Sequence, residues 1–428
     1  MMSFLERQFK ISERGSSVKT EILSGITTFV TMSYIIFVNP GILSKTGMDF
    51  NALVVATCIS SALATFLMAF LANYPIGLAP GMGLNAFFAF SVVLGMQIDW
   101  RVALTAVFVE GVIFIVLTLT KLREMVVNTI PKSLKIGISG GIGLFIAFIG
   151  LQGAGIVVKN DATLVSLGHL RGNLPALLAL GGLILMAVLE AYKVTGALLI
   201  GILAVTAASV GLNLVALPES FVSHPPSIAP IFAQLDFSML NRLDFWVIMF
   251  TFFFVDFFDT VGTLVGVCNR SGLLDKDGCL PNARGALLAD AIGTTAGAIL
   301  GTSTVTSYVE SASGIAQGGR TGLSALVTAM FFTPIVGIVP SYATAPALVI
   351  VGVYMMMSLR DLNFDDWTEL VPSILGFIMM PLAYSISIGI EFAIVSYVLI
   401  KILSGRMKDV SWLMAVLAVI FIVKEALS

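Results

Sequence analysis

The chain has 428 residues, of which 57% are hydrophobic and only 11% charged, with a formal net charge of −2. A soluble domain carries about 25% charged residues, so the polar surface of a water-facing globule is missing, and the near-neutral balance points to no nucleic-acid or acidic partner. The apolar residues come in blocks long enough to cross a bilayer, at about 20 residues per helix.

In chain order, the first 20 residues are charged and lack an apolar signal-peptide core, so 1–23 reads as a cytoplasmic N-terminal segment and the first membrane helix as the insertion signal. Apolar stretches follow at roughly 24–43, 51–72, 76–95, 102–120, 134–151, 174–190 and 195–217. A second set lies at about 243–267, 285–300, 302–317, 321–339, 343–358, 370–386 and 388–404. The sequence therefore predicts an all-α polytopic membrane protein of fourteen segments, and 411–426 is a further stretch too short to span comfortably. With a cytoplasmic N-terminus, Lys45, Arg101, Lys159, Arg171 and Arg242 fall on the far side, against seventeen Lys and Arg on the cytoplasmic side, Lys121, Arg123 and Lys276 among them. Short cytoplasmic loops carry that bias, and Trp100, Trp246, Trp367 and Trp412 sit at segment ends where indoles favour the interface.

Two segments do not read as simple helices. The third opens Pro75-Ile76-Gly77-Leu78-Ala79-Pro80-Gly81-Met82-Gly83, and the tenth opens Gly301-Thr302-Ser303-Thr304-Val305-Thr306-Ser307-Tyr308, a β-branched run that disfavours helix. Each predicts an extended stretch leading into a half-helix, tolerated at membrane depth only where it is buried in protein or lines a cavity. The breaks are seven segments apart, an odd number, so the two halves take opposite orientations. Paired breaks in inverted repeats mark a binding site near the midplane.

Acids inside apolar segments are the next signal, because each costs about 2.5–3.5 kcal/mol on insertion scales. Asp290, near a segment start and close in sequence to Arg284, is expected to cap or ion-pair, and Glu391 to reach the interface. Asp256 and Asp259 are spaced i, i+3 and are expected on one helix face. Two neighbouring carboxylates in an apolar wall do not both ionise readily, which is the physical requirement for carrying a proton. Glu310 falls at the start of the half-helix in segment ten, where free N–H groups collect. Its counterpart in segment three is Asn85. With Phe87 these residues offer a planar heterocycle in-plane hydrogen bonds and an aromatic face. Glu110 is a lone mid-helix acid, readable as a bond to a neighbouring broken backbone or as a proton relay.

Other features point to packing. Cys58, Cys268 and Cys279 have no metal spacing and read as buried thiols, and His169 and His224 fall in loops, so no metal site or triad assembles in the apolar part and no cofactor is expected. The run Gly137-Ile138-Ser139-Gly140-Gly141-Ile142-Gly143 follows no strand and lacks the Lys-Ser/Thr of a phosphate loop, so it reads as close helix packing.

At these motifs the sequence resembles the AzgA-like adenine/guanine/hypoxanthine permeases of the nucleobase–cation symporter-2 (nucleobase–ascorbate transporter) superfamily. The resemblance rests on Glu21-Ile22-Leu23-Ser24-Gly25-Ile26-Thr27-Thr28-Phe29 with Met32-Ser33-Tyr34-Ile35, and on Ala79-Pro80-Gly81-Met82-Gly83-Leu84-Asn85-Ala86-Phe87-Phe88. It continues in Phe257-Phe258-Asp259-Thr260-Val261-Gly262-Thr263, Thr306-Ser307-Tyr308-Val309-Glu310-Ser311 and Gly318-Gly319-Arg320-Thr321-Gly322. It implies two inverted seven-helix repeats with a UraA-like core and gate. The core would be 24–120 (segments 1–4) and 243–339 (segments 8–11), the gate 132–217 (segments 5–7) and 343–404 (segments 12–14), followed by a C-terminal segment 405–428. It further implies a purine base held by Asp259 and Glu310, with Thr263 one turn beyond Asp259, and with Asn85 and the backbone of Ala86, Phe87, Tyr308 and Val309. Coupling would be to a proton, with Na⁺ less favoured, carried by Asp259 and Glu310 with Asp256 assisting. The site of action would be the cytoplasmic (inner) membrane, with a homodimer compatible.

The residues bear on two other readings. An anion transporter of the related sulfate-permease fold calls for Arg, Lys or bare half-helix N-termini at the site, and two acids argue against it. An intramembrane enzyme needs an Asp-rich Mg²⁺ motif, a His/Glu metal motif or a Ser–His pair, and the doublet Asp365-Asp366 in a loop supplies none of these.

Overall fold

A computed structural model describes residues 2–120, 131–215, 226–271, 273, 281–332 and 339–427. Lys121, Arg123, His224, Lys276 and Cys279, with the ends of the stretches 195–217 and 321–339, lie outside these residues. Within them the fourteen expected segments are present. Seven are helices long and apolar enough to cross a membrane: Val18–Thr46 (segment 1), Phe50–Ala72 (2), Trp100–Thr120 (4), Lys132–Gly153 (5), Leu174–Ala191 (6), Ser341–Asp361 (12) and Ile386–Leu403 (14). Shorter apolar helices form segment 3 (Met82–Gly95), segment 7 (Ala197–Gly211), segment 11 (Gly322–Phe331) and segment 13 (Trp367–Leu382). Segment 8 is Leu243–Ser271 and segment 9 is Ala283–Leu300, while the half-helix of segment 10 is only Ser311–Ala316.

Helix starts follow local chemistry. Ser17, Asp49, Asn173, Asp366 and Ser385 each accept a backbone N–H of the first turn, satisfying one of the donors a helix N-terminus leaves open. Capping by Ser17 starts segment 1 at Val18, six residues before the apolar stretch. Segment 1 is interrupted at Ser33 and Tyr34, between Val18–Met32 and Ile35–Leu43. The short stretch after segment 14 forms a helix, Trp412–Leu427, that packs on Ile386–Leu403.

Four short strands are described: β1 (Leu78–Pro80), β2 (Val157–Asn160), β3 (Leu164–Leu167) and β4 (Val305–Ser307). β2 and β3 form an exposed hairpin between segments 5 and 6. β1 and β4 lie far apart in sequence and pair antiparallel in the interior, Leu78 opposite Ser307, Ala79 opposite Thr306 and Pro80 opposite Val305. Two more bonds extend the ladder, Tyr308 N–H to Gly77 O (3.0 Å) and Gly81 N–H to Thr304 O (2.9 Å).

The outer edges of this two-stranded sheet are satisfied by matching devices. Thr65 on segment 2 donates to Leu78 O (3.0 Å) and accepts from Leu78 N–H (2.9 Å). Thr294 on segment 9 donates to Val305 O (2.9 Å) and accepts from Val305 N–H (3.3 Å). Segments 2 and 9 are seven apart, so the same solution recurs at corresponding positions of the two halves. That is what inverted repeats require, because non-helical backbone at membrane depth must find partners in the protein.

The helices form two packing groups. Segment 9 packs on 2 and 4, 11 on 1 and 2, and 8 on 4; separately, 12 and 13 pack on 5, 13 on 14, and 6 on 7 and 12. The glycine run of segment 5 is where the second group closes up. A Cβ on Gly137 would lie 2.5 Å from Ser373 O, one on Gly141 2.9 Å from Phe377 Cα, and one on Gly143 2.6 Å from Gly352 O.

Candidate functional site

The crossing of β1 and β4 positions the polar side chains. Glu310 follows β4 and precedes the half-helix Ser311–Ala316. The break in segment 1 places Tyr34 opposite it, and the Tyr34 hydroxyl donates to Glu310 Oε1 at 2.6 Å. Thr31, one turn earlier, donates to Glu310 O at 3.4 Å. Asp259 on segment 8 is half-buried and close enough to Glu310 for the two carboxylates to act on each other, and both bear on Tyr308. The Tyr308 hydroxyl donates to Pro80 O at 2.6 Å, pinning its ring across the strand pair. Val309 is 50% exposed although it lies between buried strand and half-helix, so it faces open space beside Glu310. Thr263, one turn beyond Asp259, is likewise half-buried.

The segment-three residues take other positions. Asn85, Ala86 and Phe87 are all buried. Asn85 is hydrogen-bonded to Ser303 in the extended run before β4, its Nδ2 has no partner among the described residues, and Phe87 packs edge-on against Phe252 with ring centroids 4.8 Å apart. The expected aromatic face from Phe87 is therefore turned into the helix packing, because Phe252 on segment 8 occupies it.

Asp256, expected on one helix face with Asp259, is fully buried and bonded to Thr260 one turn on. Asp256 and Asp290 flank Thr260, whose hydroxyl lies 2.9 Å from Asp290 Oδ1, 2.8 Å from Thr306 Oγ1 and 3.4 Å from Asp256 Oδ1. Glu110 joins this group. It interacts with Asp256 and accepts from Thr304 Oγ1 at 3.0 Å. Asp290 is fully buried beside the strand, about two turns into its helix, and accepts from the Thr260 hydroxyl. Glu110 thus reaches the broken segment through the side chain of Thr304 and not through its backbone. Glu391 is buried and accepts from Ser387 at 3.3 Å.

The sequence does not single out Tyr34, Thr65, Thr294 or Thr260, whose hydroxyls organise the crossing. Tyr34 was visible as a polar residue in a Met-Ser-Tyr break. The threonines look like ordinary helix residues until the strand edges need partners. A surface depression lined by Gln97, Asp99, Asp236, Arg242 and Asp244 shares no residue with this group. There Asp236 lies at the surface, and hydrogen bonds from Ser238 hold its carboxyl below the usual carboxylate range.

Paired strands between half-helices, buried inside a bundle of apolar helices whose two halves repeat, define a polytopic membrane-protein architecture. Residues 19–392 match the family described as "Permease family", and the chain belongs to that family, as a multi-pass membrane permease. It is 53% identical to a putative permease of Methanocaldococcus jannaschii, over 98% of both chains. It is 44% identical to the guanine/hypoxanthine permease PbuG of Bacillus subtilis (97% of this chain, 98% of that one) and 42% identical to the adenine permease AdeP of Escherichia coli (98% and 95%). Among solved structures, the transmembrane domain of the cyanobacterial bicarbonate transporter BicA superposes with a TM-score of 0.64 at 16% identity, covering 88% of this chain and 97% of that one. At that identity the likeness is one of fold.

Proposed function

We propose that this permease imports purine nucleobases by proton symport across the cytoplasmic membrane, with its N-terminus in the cytoplasm. The observation that carries the reading is Glu310, placed directly after strand β4 of the interior strand pair and bonded by the Tyr34 hydroxyl at 2.6 Å, with the half-buried Asp259 of segment 8 near enough to feel its charge. Purines present N–H donors and ring-nitrogen acceptors along their edges, and carboxyls with tyrosine hydroxyls are their complement. An anion would meet two acids there, which disfavours the alternative cargo. Relatives named for adenine and for guanine/hypoxanthine lend support to the purine class.

In this reading Asp259 and Glu310 hydrogen-bond the base, Thr263 lines the pocket, and the backbone of Ala86, Phe87, Tyr308 and Val309 contributes further bonds, with Asn85 bracing the strand from behind. A proton resides on Asp259 or Glu310 when the base is bound and leaves on the cytoplasmic side. Asp256 takes part through Thr260 and Thr306. Segments 1–4 and 8–11 act as the core, and segments 5–7 and 12–14 as the gate against which it moves.

Uptake of radiolabelled adenine, guanine and hypoxanthine into a permease-deficient host tests this, with and without a protonophore, for the native protein and Glu310→Gln. The expected result is uptake abolished by the protonophore and by the substitution, competed by unlabelled purines and not by uracil. Absence of purine accumulation from protein present in the membrane would overturn the substrate class, and uptake indifferent to the protonophore would overturn the coupling.

A further inference from the structure

Segments 1, 3, 5 and 13 all end on the side of the bilayer opposite the N-terminus, and there the two packing groups touch. The turn between segments 13 and 14 puts Tyr384 in left-handed backbone, φ 52°. Glycine takes that conformation without strain, so a bulky side chain held in it depends on its contacts. The Tyr384 hydroxyl donates to Gln152 Oε1 at the end of segment 5 (2.9 Å), and its ring packs edge-on against Phe145 and Phe148 of that segment, centroids 5.4 and 6.1 Å away. These contacts lie within the second group. The same ring crosses the boundary to meet Phe90 of segment 3 at 6.2 Å and 89°. Segment 3 packs on segment 4 of the first group, and Lys45 at the end of segment 1 stands over the Phe90 ring at 5.3 Å.

Polar contacts continue the seam. Ile386 N–H, a donor that the start of segment 14 leaves open, is taken by Ser91 Oγ of segment 3 at 3.3 Å. The hydroxyls of Ser387 on segment 14 and Thr251 on segment 8 lie 3.4 Å apart. Deeper, just past β1, a Cβ on Gly83 would stand 2.7 Å from Ile142 Cγ2 of segment 5. The seam is therefore closed from the outer end of segment 3 inward to the level of the strands. Phe90 and Ser91 lie in a π-helical stretch, Phe87–Gly95, a winding found frequently at functional sites.

We propose that Tyr384, with Phe90, Ser91 and Ile386, is the outer gate of the carrier, and that the structure is the state shut to the outside with Val309 reached from the cytoplasm. The inference rests on the carrier reading above and names the contacts that break to admit cargo. Each contact across the seam is an aromatic edge or a neutral hydrogen bond. When the groups part, water replaces the hydrogen bonds and no charge is left unpaired. The turn itself keeps Gln152, Phe145 and Phe148, so it moves with its own group as a rigid body.

The test reads the gate from each face without needing cargo. In full-length protein with Cys58, Cys268 and Cys279 replaced by Ser, Val309→Cys places one thiol in the open space beside Glu310. Its rate of modification by a membrane-impermeant maleimide is followed in intact cells for the outer face and in inside-out vesicles for the inner face. With the gate native, the inner face should react severalfold faster. Tyr384→Leu should raise the outer rate about threefold to tenfold, as loss of one aromatic pair predicts, with no rise at the inner face. Tyr384→Phe keeps the ring and should stay within about twofold of native on both faces. Ser91→Ala, a milder change, should raise the outer rate about twofold or more and decides the matter if Tyr384→Leu fails to reach the membrane. Equal rates from the two faces with the gate native would overturn the proposal. So would outer rates unchanged in both Tyr384→Leu and Ser91→Ala, or rates raised equally on both faces, which is loosening of the fold. Absence of purine uptake by the native protein would overturn the cargo alone, because the thiol rates stand without it.

Discussion

At the scale of single residues, hydroxyl groups do most of the organising. The Tyr34 hydroxyl is the donor given to Glu310 within hydrogen-bond distance, at 2.6 Å. A hydrogen bond to a charged group contributes about 1.5–3 kcal/mol. Tyr34→Phe should therefore weaken half-saturation or maximal uptake by roughly tenfold to a hundredfold at unchanged membrane abundance, at about 1.4 kcal/mol per tenfold. Uptake kinetics equal to the native protein would mean that Glu310 is oriented by its backbone alone. Thr65 and Thr294 each serve one strand edge with both a donor and an acceptor. Thr294→Val leaves buried peptide groups unpaired at about 1–3 kcal/mol, whereas Thr294→Ser keeps the bonds. Thermal unfolding in detergent should show the Val variants at both positions losing stability by similar amounts, with the Ser variants close to native. The acids at these positions were legible in the sequence because a carboxylate in an apolar helix is rare and expensive. The threonines were not, because a helical Thr bonded to its own backbone and one bonded to a distant strand have the same sequence context.

At the scale of elements, small residues set how closely helices approach. Gly143 faces the backbone of segment 12, where an added Cβ would meet Gly352 O at 2.6 Å and Met355 Cβ at 2.8 Å. Gly143→Ala forces the two helices apart and should cost about 1–3 kcal/mol, in the range of overpacked cores. Gly181, in the middle of segment 6, has nothing within 4 Å of its absent Cβ. Gly181→Ala should be neutral or stabilising by up to about 1 kcal/mol, since glycine is the poorer helix former. Both are read from the midpoint of thermal unfolding, and equal effects would contradict the packing assigned to segment 5. The sequence marked both extended stretches, and they pair as strands in the structure. It gave no reason for their register, which follows from Gly81 lacking a Cβ that would strike Thr306 Cγ2 at 2.6 Å.

Across the whole molecule, the N-terminal segment ties the halves together. Arg14 donates to Asn73 O (2.6 Å) at the end of segment 2 and to Arg320 O (2.9 Å) at the start of segment 11. Glu21 accepts Arg320 N–H (2.9 Å) and Thr321 N–H (3.3 Å), and Asn73 accepts Gly322 N–H (2.7 Å), so the start of segment 11 is capped by two distant parts of the chain. Arg14→Ala should destabilise the folded protein by about 1–3 kcal/mol and expose the N-terminal segment to protease, and Arg14→Lys should rescue only in part, because one ammonium lacks the planar fork of a guanidinium. Native protease resistance in Arg14→Ala would mean that Phe9 and Ile11, both buried, hold the segment by packing alone.

Composition and hydropathy by themselves determined that this chain is a multi-pass membrane protein and that segments 3 and 10 are broken, because the cost of exposing polar backbone or charge to hydrocarbon is paid locally, segment by segment. The positions of Asp259 and Glu310 were legible for the same reason. Only the tertiary structure decided which groups face one another: that Asp256 bonds Thr260, that Tyr34 donates to Glu310, and that Phe87 packs against Phe252. The last two contacts join residues many segments apart. Spacing along one helix fixes which side a residue takes, but the partner on that side is set by how separate helices cross.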